Sequence, residues 1–238
     1  LMAIMTGGFS TAAGSVLALY VLWLQSIPGI AGHLLAASIM SAPAALAIAK
    51  IIYPETEISE TMGNLNLSHD QKAVNVMDAL GQGATNGLRL AANVAAMLIA
   101  FVSIITMINY CLIFLFSINM QQILGIIFQP LAWSMGIPWN EAKIVGTLMG
   151  EKIVLTELIA YSNLSELIKN NEISNRSAII ASYALCGFAN FGSIGIQLGG
   201  IGGMAPNRRK DISKLGFKAM VGGALASWLT ATIAGILL

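Results

Sequence analysis

The chain has 238 residues, of which 56% are hydrophobic and 10% are charged, and its mean hydropathy is +0.77. Soluble domains carry about a quarter charged residues, so this composition predicts a membrane protein. The net charge of +1 comes without a Lys/Arg-rich patch, so nucleic acid is not an expected partner. The two cysteines, Cys111 and Cys186, lie in apolar runs, which favours buried thiols over a disulfide.

The first half of the chain contains three apolar stretches of the length needed to cross a bilayer. They cover approximately residues 1–24, 33–52 and 90–116. Between the second and third, residues 58–70 are polar and are expected outside the hydrocarbon. A helix is predicted to begin at Lys72, with Ser68 as a possible N-cap, and to continue through an amphipathic part into the third span. Because the chain opens at Leu1 without an initiator Met, we interpret it as a fragment.

The next two segments are irregular. Residues 119–138 are apolar, but glycines and prolines interrupt them, which predicts an interfacial segment: Gly125, Pro130, Gly136 and Pro138. Residues 140–167 are long enough to cross the membrane, yet they carry several charges and are interrupted at Gly146 and Gly150. This pattern favours a re-entrant helical hairpin over a plain span.

The chain ends with two further spans, at about residues 177–205 and 215–238. The many glycines of the first predict a discontinuous helix. The stretch 207–218 is the most basic loop, so it is expected in the cytoplasm and the C-terminus outside. If the hairpin enters and leaves on one face, the basic loops lie on the cytoplasmic side and the loops without charges lie outside.

Two segments resemble each other and indicate an internal repeat. Residues 8–14 and 187–193 both begin Gly-Phe and continue with small and polar residues inside a spanning segment. The predicted orientation makes them cross in opposite directions, which is an inverted repeat, a pattern found in many secondary transporters. The chain then divides into a first repeat (1–57), a middle part with the polar loop and a scaffold span (58–138), and a second repeat (139–238).

Glu157 is the first candidate for a functional residue. It lies in an apolar stretch, where a charge at the bilayer centre costs about 2.5–3.5 kcal/mol on insertion scales. A polar ligand, water or a cation would offset that cost. The alternative is that the carboxylate lies at the water interface or pairs with Lys152.

The two predicted helix breaks supply the other candidates. Asn190 and Ser193 could hydrogen-bond the hydroxyls of a sugar, and Phe188 could pack against a ligand, although such residues also join helices. Thr11 and Ala12 offer a hydroxyl and freed carbonyls to a hard cation such as Na⁺. The alternative for Thr11 is a bond back to its own helix.

These residues lie in stretches that resemble the concentrative nucleoside transporters. Residues 150–161 are similar to the family signature Gly-x-Lys-x-x-x-Asn-Glu-Phe-Val-Ala, residues 184–195 to its broken helix, and residues 41–57 to a further family stretch. The resemblance covers essentially the whole chain. It implies a polytopic all-α helical bundle with inverted repeats, discontinuous helices and re-entrant hairpins, assembled as a homotrimer in a lipid bilayer.

The resemblance also implies which residues bind. Glu157, Phe188, Asn190 and Ser193 match positions that hold the ribose in the family. Thr156 is a further candidate for substrate binding. It stands where the signature has Asn, and its shorter side chain could change the hydrogen bond made from this position.

On the other side of the substrate, the resemblance implies that Thr11 and Ala12 bind Na⁺ and that Val16 lies against the nucleoside. The remaining base and ion ligands are expected in a first hairpin upstream of Leu1.

We therefore predict a multi-pass cell-membrane (plasma or inner membrane) symporter. It would couple nucleoside import to Na⁺ or H⁺ by alternating access, without an organic cofactor. The alternatives are a transporter of the same architecture for another small polar solute, an intramembrane enzyme, and a channel or non-transporting subunit. An enzyme would require a nucleophile with its base, a metal cluster or paired acids, none of which the sequence displays.

Overall fold

The computed structural model describes residues 1–56 and 73–238, and all regular structure in this part of the chain is helical. The helices in chain order are α1 (Met2–Ser10), α2 (Gly14–Trp23), α3 (Ile30–Ile52), α4 (Val76–Phe116), α5 (Met120–Ser134), α6 (Trp139–Val154), α7 (Glu157–Lys169), α8 (Asn175–Leu185), α9 (Phe191–Met204) and α10 (Arg209–Leu237). The helices α3 and α10 and the α1–α2 pair are each long and apolar enough to cross a membrane. The predicted class, an all-α membrane bundle, is confirmed.

The first span is interrupted between α1 and α2. Thr11 and Ala13 have extended backbones, with ψ angles of 151° and 142°. The hydroxyls of Ser10 and Thr11 donate to the Gly7 carbonyl over 3.0 and 3.1 Å. The break therefore leaves other carbonyls at the end of α1 without helical partners, as every helix C-terminus does.

The span that follows the hairpin is also interrupted, as predicted. α8 ends at Leu185 and α9 begins at Phe191. Gly187 lies between them with φ +95°, a backbone conformation that residues with a side chain rarely adopt. The other glycines of this span, Gly192 to Gly203, lie within α9, so one glycine marks the break and the remainder do not.

The segment 140–167 forms the helical hairpin expected for it. The Asn163 side-chain amide donates to a Glu151 carboxylate oxygen over 2.8 Å. One continuous helix would separate these two residues by about 18 Å, so α6 and α7 must run back along each other. The tip falls at Leu155 and Thr156, not at the glycines that suggested it.

Gly146 and Gly150 instead allow α5 to lie directly on α6. A Cβ at Gly146 would come within 2.6 Å of the Gly125 carbonyl oxygen, and one at Gly150 within 2.8 Å of Leu124 Cβ. Gly125 and Pro130 do not interrupt the segment 119–138 as expected, while its predicted interfacial position stays a prediction. α5 runs through Gly125 and Pro130, begins at a capping box formed by Asn119, and turns 84° from the end of α4.

Two further boundaries differ from the sequence-based expectation. α4 is a single helix of 41 residues whose N-cap is Asn75, which accepts a hydrogen bond from the Asp78 N–H over 2.9 Å. The predicted helix start at Lys72, the Ser68 cap and the polar segment 58–70 lie outside the described residues. The basic stretch 207–218 is not a loop, because α10 begins at Arg209.

α10 is the surface on which the broken spans pack. A Cβ at Gly223 would overlap Phe9 Cβ on α1, and one at Gly216 would lie 2.8 Å from Ile194 on α9. Small residues permit such close approach between helices in membranes, where packing rather than water exclusion drives association. Both interrupted spans are therefore held against the same helix.

The two helix breaks touch each other. A Cβ built on Gly187 would lie 2.6 Å from the carbonyl carbon and oxygen of Ser10 and 2.7 Å from the Phe9 oxygen. The backbone after α8 thus contacts the last residues of α1. This contact places the polar groups of both breaks in one region.

Gly187→Ala is expected to destabilise the protein, because the methyl group would meet backbone atoms and the φ angle would be strained. The expected loss in the free energy of unfolding is about 2 kcal/mol or more. Thermal unfolding of the detergent-purified protein measures it. Gly200→Ala is the matched control, since that glycine is helical with open space around it. Equal unfolding temperatures for the two variants would contradict the described crossing.

Candidate functional site

Glu157 is the first residue of α7, at the tip of the hairpin, and its side chain is half-buried. Tyr20 donates to one carboxylate oxygen over 3.3 Å, and the Asn190 amide donates to the other over 3.3 Å. The unpaired N–H groups at a helix N-terminus also favour a negative charge. Three elements, namely the hairpin tip, α2 and the second break, therefore meet at one carboxylate.

Lys152 forms no direct ion pair with Glu157. Its side chain is completely buried, and its ammonium group donates to the carbonyls of Ala184 and Cys186 and to the Ser227 hydroxyl, over 3.0, 3.1 and 2.8 Å. The ion pairs between described residues are Lys50–Glu55 and Arg208–Asp211. The alternative in which Lys152 pairs with Glu157 is therefore wrong.

Asn190 and Ser193 are buried beside Glu157. The Asn190 side-chain oxygen accepts from the Ser193 N–H and hydroxyl over 2.8 and 2.9 Å, which caps α9. The amide nitrogen of the same side chain donates to Glu157. One residue thus starts a helix and contacts the carboxylate.

Thr156 caps the other helix of the site. Its hydroxyl oxygen accepts from the Ile159 N–H over 3.4 Å, at the start of α7. Threonine and asparagine are both favoured at this position, so the departure from the family signature keeps the cap. Glu157 directly follows this cap as the first residue of α7.

Phe188 lies within the second break and is half-buried. Its ring centroid is 6.1 Å from that of Phe9, which is fully buried near the end of α1. The aromatic pair therefore lies where the two breaks cross. The exposed part of Phe188 offers an apolar surface beside the polar groups of Asn190 and Glu157.

Thr11, Ala12 and Val16 are half-buried at the first break and on the first turn of α2. The Thr11 hydroxyl donates to the Gly7 carbonyl, which is the bond back to its own helix that the sequence left open. The oxygen retains lone pairs, so this bond does not prevent a contact with a cation. The hydrogen bonds of the described residues do not join these three residues to Glu157.

The first break offers oxygen atoms to which an ion could bind. The donors are the Thr11 hydroxyl and the backbone carbonyls freed by the break, a set that suits a hard cation rather than a soft metal. Unwound backbone carbonyls coordinate Na⁺ in many transporters. The described residues contain no cluster of three His, Cys, Asp or Glu residues that could hold a metal.

The sequence did not indicate the two tyrosines of the site. Tyr20 and Tyr161 are buried and stack with ring centroids 3.9 Å apart. Tyr161 donates to the Ser182 carbonyl over 2.6 Å, while Tyr20 donates to Glu157. A tyrosine in an apolar span needs a partner for its hydroxyl. The occurrence of tyrosines in such spans could therefore have identified both residues.

Residues 33–235 match the family described as Na⁺ dependent nucleoside transporter C-terminus. This chain belongs to the concentrative nucleoside transporter family. The transporter YutK of Bacillus subtilis, described as uncharacterized, is 46% identical over 99% of this chain and 59% of YutK. Solute carrier family 28 member 3 of Homo sapiens is 41% identical over 99% of this chain and 36% of that protein.

Solved structures agree with this family membership. CNTnw in an inward-facing substrate-bound state matches with a TM-score of 0.80 and 44% identity, over 99% of this chain and 56% of CNTnw. The chain thus spans only part of the length of each of these relatives. The relatives of this concentrative nucleoside transporter chain are transporters and not enzymes, which decides against the intramembrane-enzyme alternative.

The double role of Asn190 can be separated by two substitutions. Asn190→Ala is expected to lower the free energy of unfolding by about 1–2 kcal/mol, because α9 loses its cap. Asn190→Ser should retain most of the stability, since serine also caps helices, while both variants lose the amide contact with Glu157. Thermal unfolding of the purified variants tests this. Equal destabilisation by Ala and Ser would contradict the capping role.

Proposed function

We propose that this chain forms the sugar-binding half of a cation-coupled nucleoside importer. The observation that carries the proposal is the Glu157 carboxylate, which is held at the meeting point of the hairpin tip, α2 and the second break. Its protein hydrogen bonds are both 3.3 Å long, near the upper limit for such bonds. A carboxylate so placed can accept from the two adjacent hydroxyls of a ribose.

Asn190, Ser193 and Phe188 would complete the sugar side of this site. The first two supply polar groups beside Glu157, and Phe188 supplies an apolar face. Val16 would face the nucleoside from α2, across from this cluster. Thr156 would act indirectly, by capping the helix that presents Glu157.

Na⁺ is the coupling ion that the observations favour over H⁺. The oxygen donors at the first break, Thr11 with the backbone around Ala12, support it, and the matched family is described as Na⁺ dependent. The remaining ligands would come from the part of the protein that the chain does not cover. No organic cofactor takes part in the proposed mechanism.

Transport would proceed by alternating access, with the downhill ion as the energy source. The hydrogen bond from Asn190 to Glu157 joins the second break to the hairpin, so the two segments are suited to move together. The matched segments 8–14 and 187–193 support an inverted repeat, since their phenylalanines, Phe9 and Phe188, meet at the crossing of the breaks. Such repeats underlie alternating access in many transporters.

The membrane setting of the protein is part of the proposal. We place it in the plasma or inner membrane as a homotrimer, and exposed apolar side chains along α4, such as Ile99 and Phe114, suit contacts with lipid or another subunit. The basic residues 208–218 would face the cytoplasm and Leu238 the outside. The mass of the purified assembly tests the homotrimer. The accessibility of a tag after Leu238 tests on which side of the membrane the C-terminus lies.

Glu157→Gln is expected to reduce the initial rate of radiolabelled uridine uptake by more than tenfold, because it removes the charge while keeping the shape. Glu166→Gln is the matched control, since Glu166 is exposed on the same helix, and its uptake should stay within about twofold of the unmodified protein. Uptake is normalised to the amount of protein in the membrane. Normal uptake by Glu157→Gln would contradict the sugar assignment. Uptake of another polar solute but not uridine would favour the alternative substrate class.

Thr11→Ala is expected to raise the Na⁺ concentration that gives half-maximal uridine uptake several-fold, because a ligand oxygen is lost. Thr11→Ser keeps the hydroxyl and should resemble the unmodified protein. Uptake is measured over a range of Na⁺ concentrations with choline as the replacement cation. Uptake that is independent of Na⁺ but rises at acidic pH would favour H⁺ coupling instead.

A further inference from the structure

Helix α8 has a negative side chain at its N-terminus and the positive Lys152 at its C-terminus, and the proposed transport site uses neither directly. At the start of α8, a Glu141 carboxylate oxygen accepts from the N–H and the hydroxyl of Ser174 over 3.2 and 2.8 Å. At its end, the Lys152 ammonium donates to the carbonyls of Ala184 and Cys186. A negative group at a helix N-terminus and a positive group at its C-terminus both stabilise the helix.

Both charges come from one helix, α6. Glu141 and Lys152 are separated by about 16 Å along α6, which matches the length of the short helix α8. The two helices therefore run in the same direction with their ends aligned. The first helix of the hairpin fixes both ends of the half-helix that precedes the second break.

All donors of the Lys152 ammonium have partners. The group has three N–H bonds, and it contacts the Ala184 carbonyl, the Cys186 carbonyl and the Ser227 hydroxyl. Ser227 belongs to α10, on which the broken spans pack. A buried charge with a full set of partners holds its neighbours in one geometry, since any displacement leaves a charged or polar group unpaired.

The carbonyls that Lys152 holds lie directly before the residues of the site. Cys186 is the last residue before Gly187, and Asn190 follows three positions later. Lys152 and Glu157 belong to the same hairpin, five residues apart in sequence. The hairpin thus holds the chain before the break through Lys152 and contacts Asn190 after the break through Glu157.

We propose that Lys152 is a positioning residue for nucleoside binding. It fixes the exit of the chain from α8, so that Asn190 and Phe188 stay in place against Glu157. The hairpin and the second break then keep a single arrangement while the substrate is bound. This inference rests on the proposed function, because it assigns how the sugar side of that site is kept assembled.

The test uses Lys152→Met and Lys152→Gln in the full protein, with Lys143→Met as the matched control. Methionine keeps the apolar stem and cannot donate, whereas glutamine can still donate to a carbonyl. Lys143 is exposed on the same helix. Lys152→Met is expected to raise KM for uridine by about tenfold or more with a smaller change in Vmax, and Lys152→Gln should fall between it and the control.

The increase in unfolding temperature caused by uridine separates positioning from folding. That increment depends on the affinity for the ligand, so it should shrink in Lys152→Met even if the ligand-free protein is already less stable. A purely structural role would lower the unfolding temperature and leave both KM and the increment unchanged. Lys152→Gln provides the same readouts if the methionine variant does not fold, and an unchanged KM in either folded variant overturns the proposal.

A third measurement does not depend on uridine. In a Cys111→Ser background, maleimide labelling of Cys186, mapped by mass spectrometry, should become faster in Lys152→Met and Lys152→Gln than in Lys143→Met. Cys186 is buried in the native arrangement, and release of its carbonyl would expose it. Unchanged labelling overturns the proposal. If the unmodified protein shows no uridine uptake or binding, the proposed function fails, while this labelling still tests the hold of Lys152 on the break.

Discussion

An interrupted helix inside a membrane must find new partners for the backbone groups that the interruption sets free. Lipid offers none, so side chains have to supply them. In this chain Asn190 supplies them at the start of α9 and Thr156 at the start of α7. Lys152 supplies them at the end of α8, and Ser10 and Thr11 at the end of α1.

These same side chains surround the candidate site. The breaks bring polar groups to the middle of an apolar bundle, and the contact between Gly187 and Ser10 brings the two breaks together. Glu157 occupies a helix N-terminus that would otherwise expose N–H groups. The site is therefore a direct product of how the fold satisfies its backbone, and α10 supplies the smooth surface that lets both broken spans converge.

Local pattern predicted much of this from the sequence. Charges within apolar stretches indicated the hairpin, and the many glycines of residues 177–205 indicated the second break, which one of them, Gly187, marks. Glycine was misleading elsewhere, because a glycine in a membrane helix permits close packing as well as interruption. Gly125, Gly146 and Gly150 mark the contact between α5 and α6, and no break occurs there.

Contacts between distant residues could not be predicted in this way. Tyr20 and Glu157 are 137 positions apart, and the ammonium of Lys152 reaches α10 across 75 positions. Separations of this size lie far beyond the short repeat of a helix or a strand, so the sequence pattern gives no sign of these contacts. The position of Lys152 beside Glu157 in sequence even suggested a pairing that the fold does not make.

The capping role of Asn190 has a consequence for how such a protein can diverge. A substitution there must still begin α9, so only the few residue types that cap helices are open to selection. Val16 lies within α2, and its side chain does not cap a helix. If the chain binds a nucleoside as proposed, residues on the proposed sugar side should be inherited almost unchanged over evolutionary time, while positions such as Val16 vary more freely.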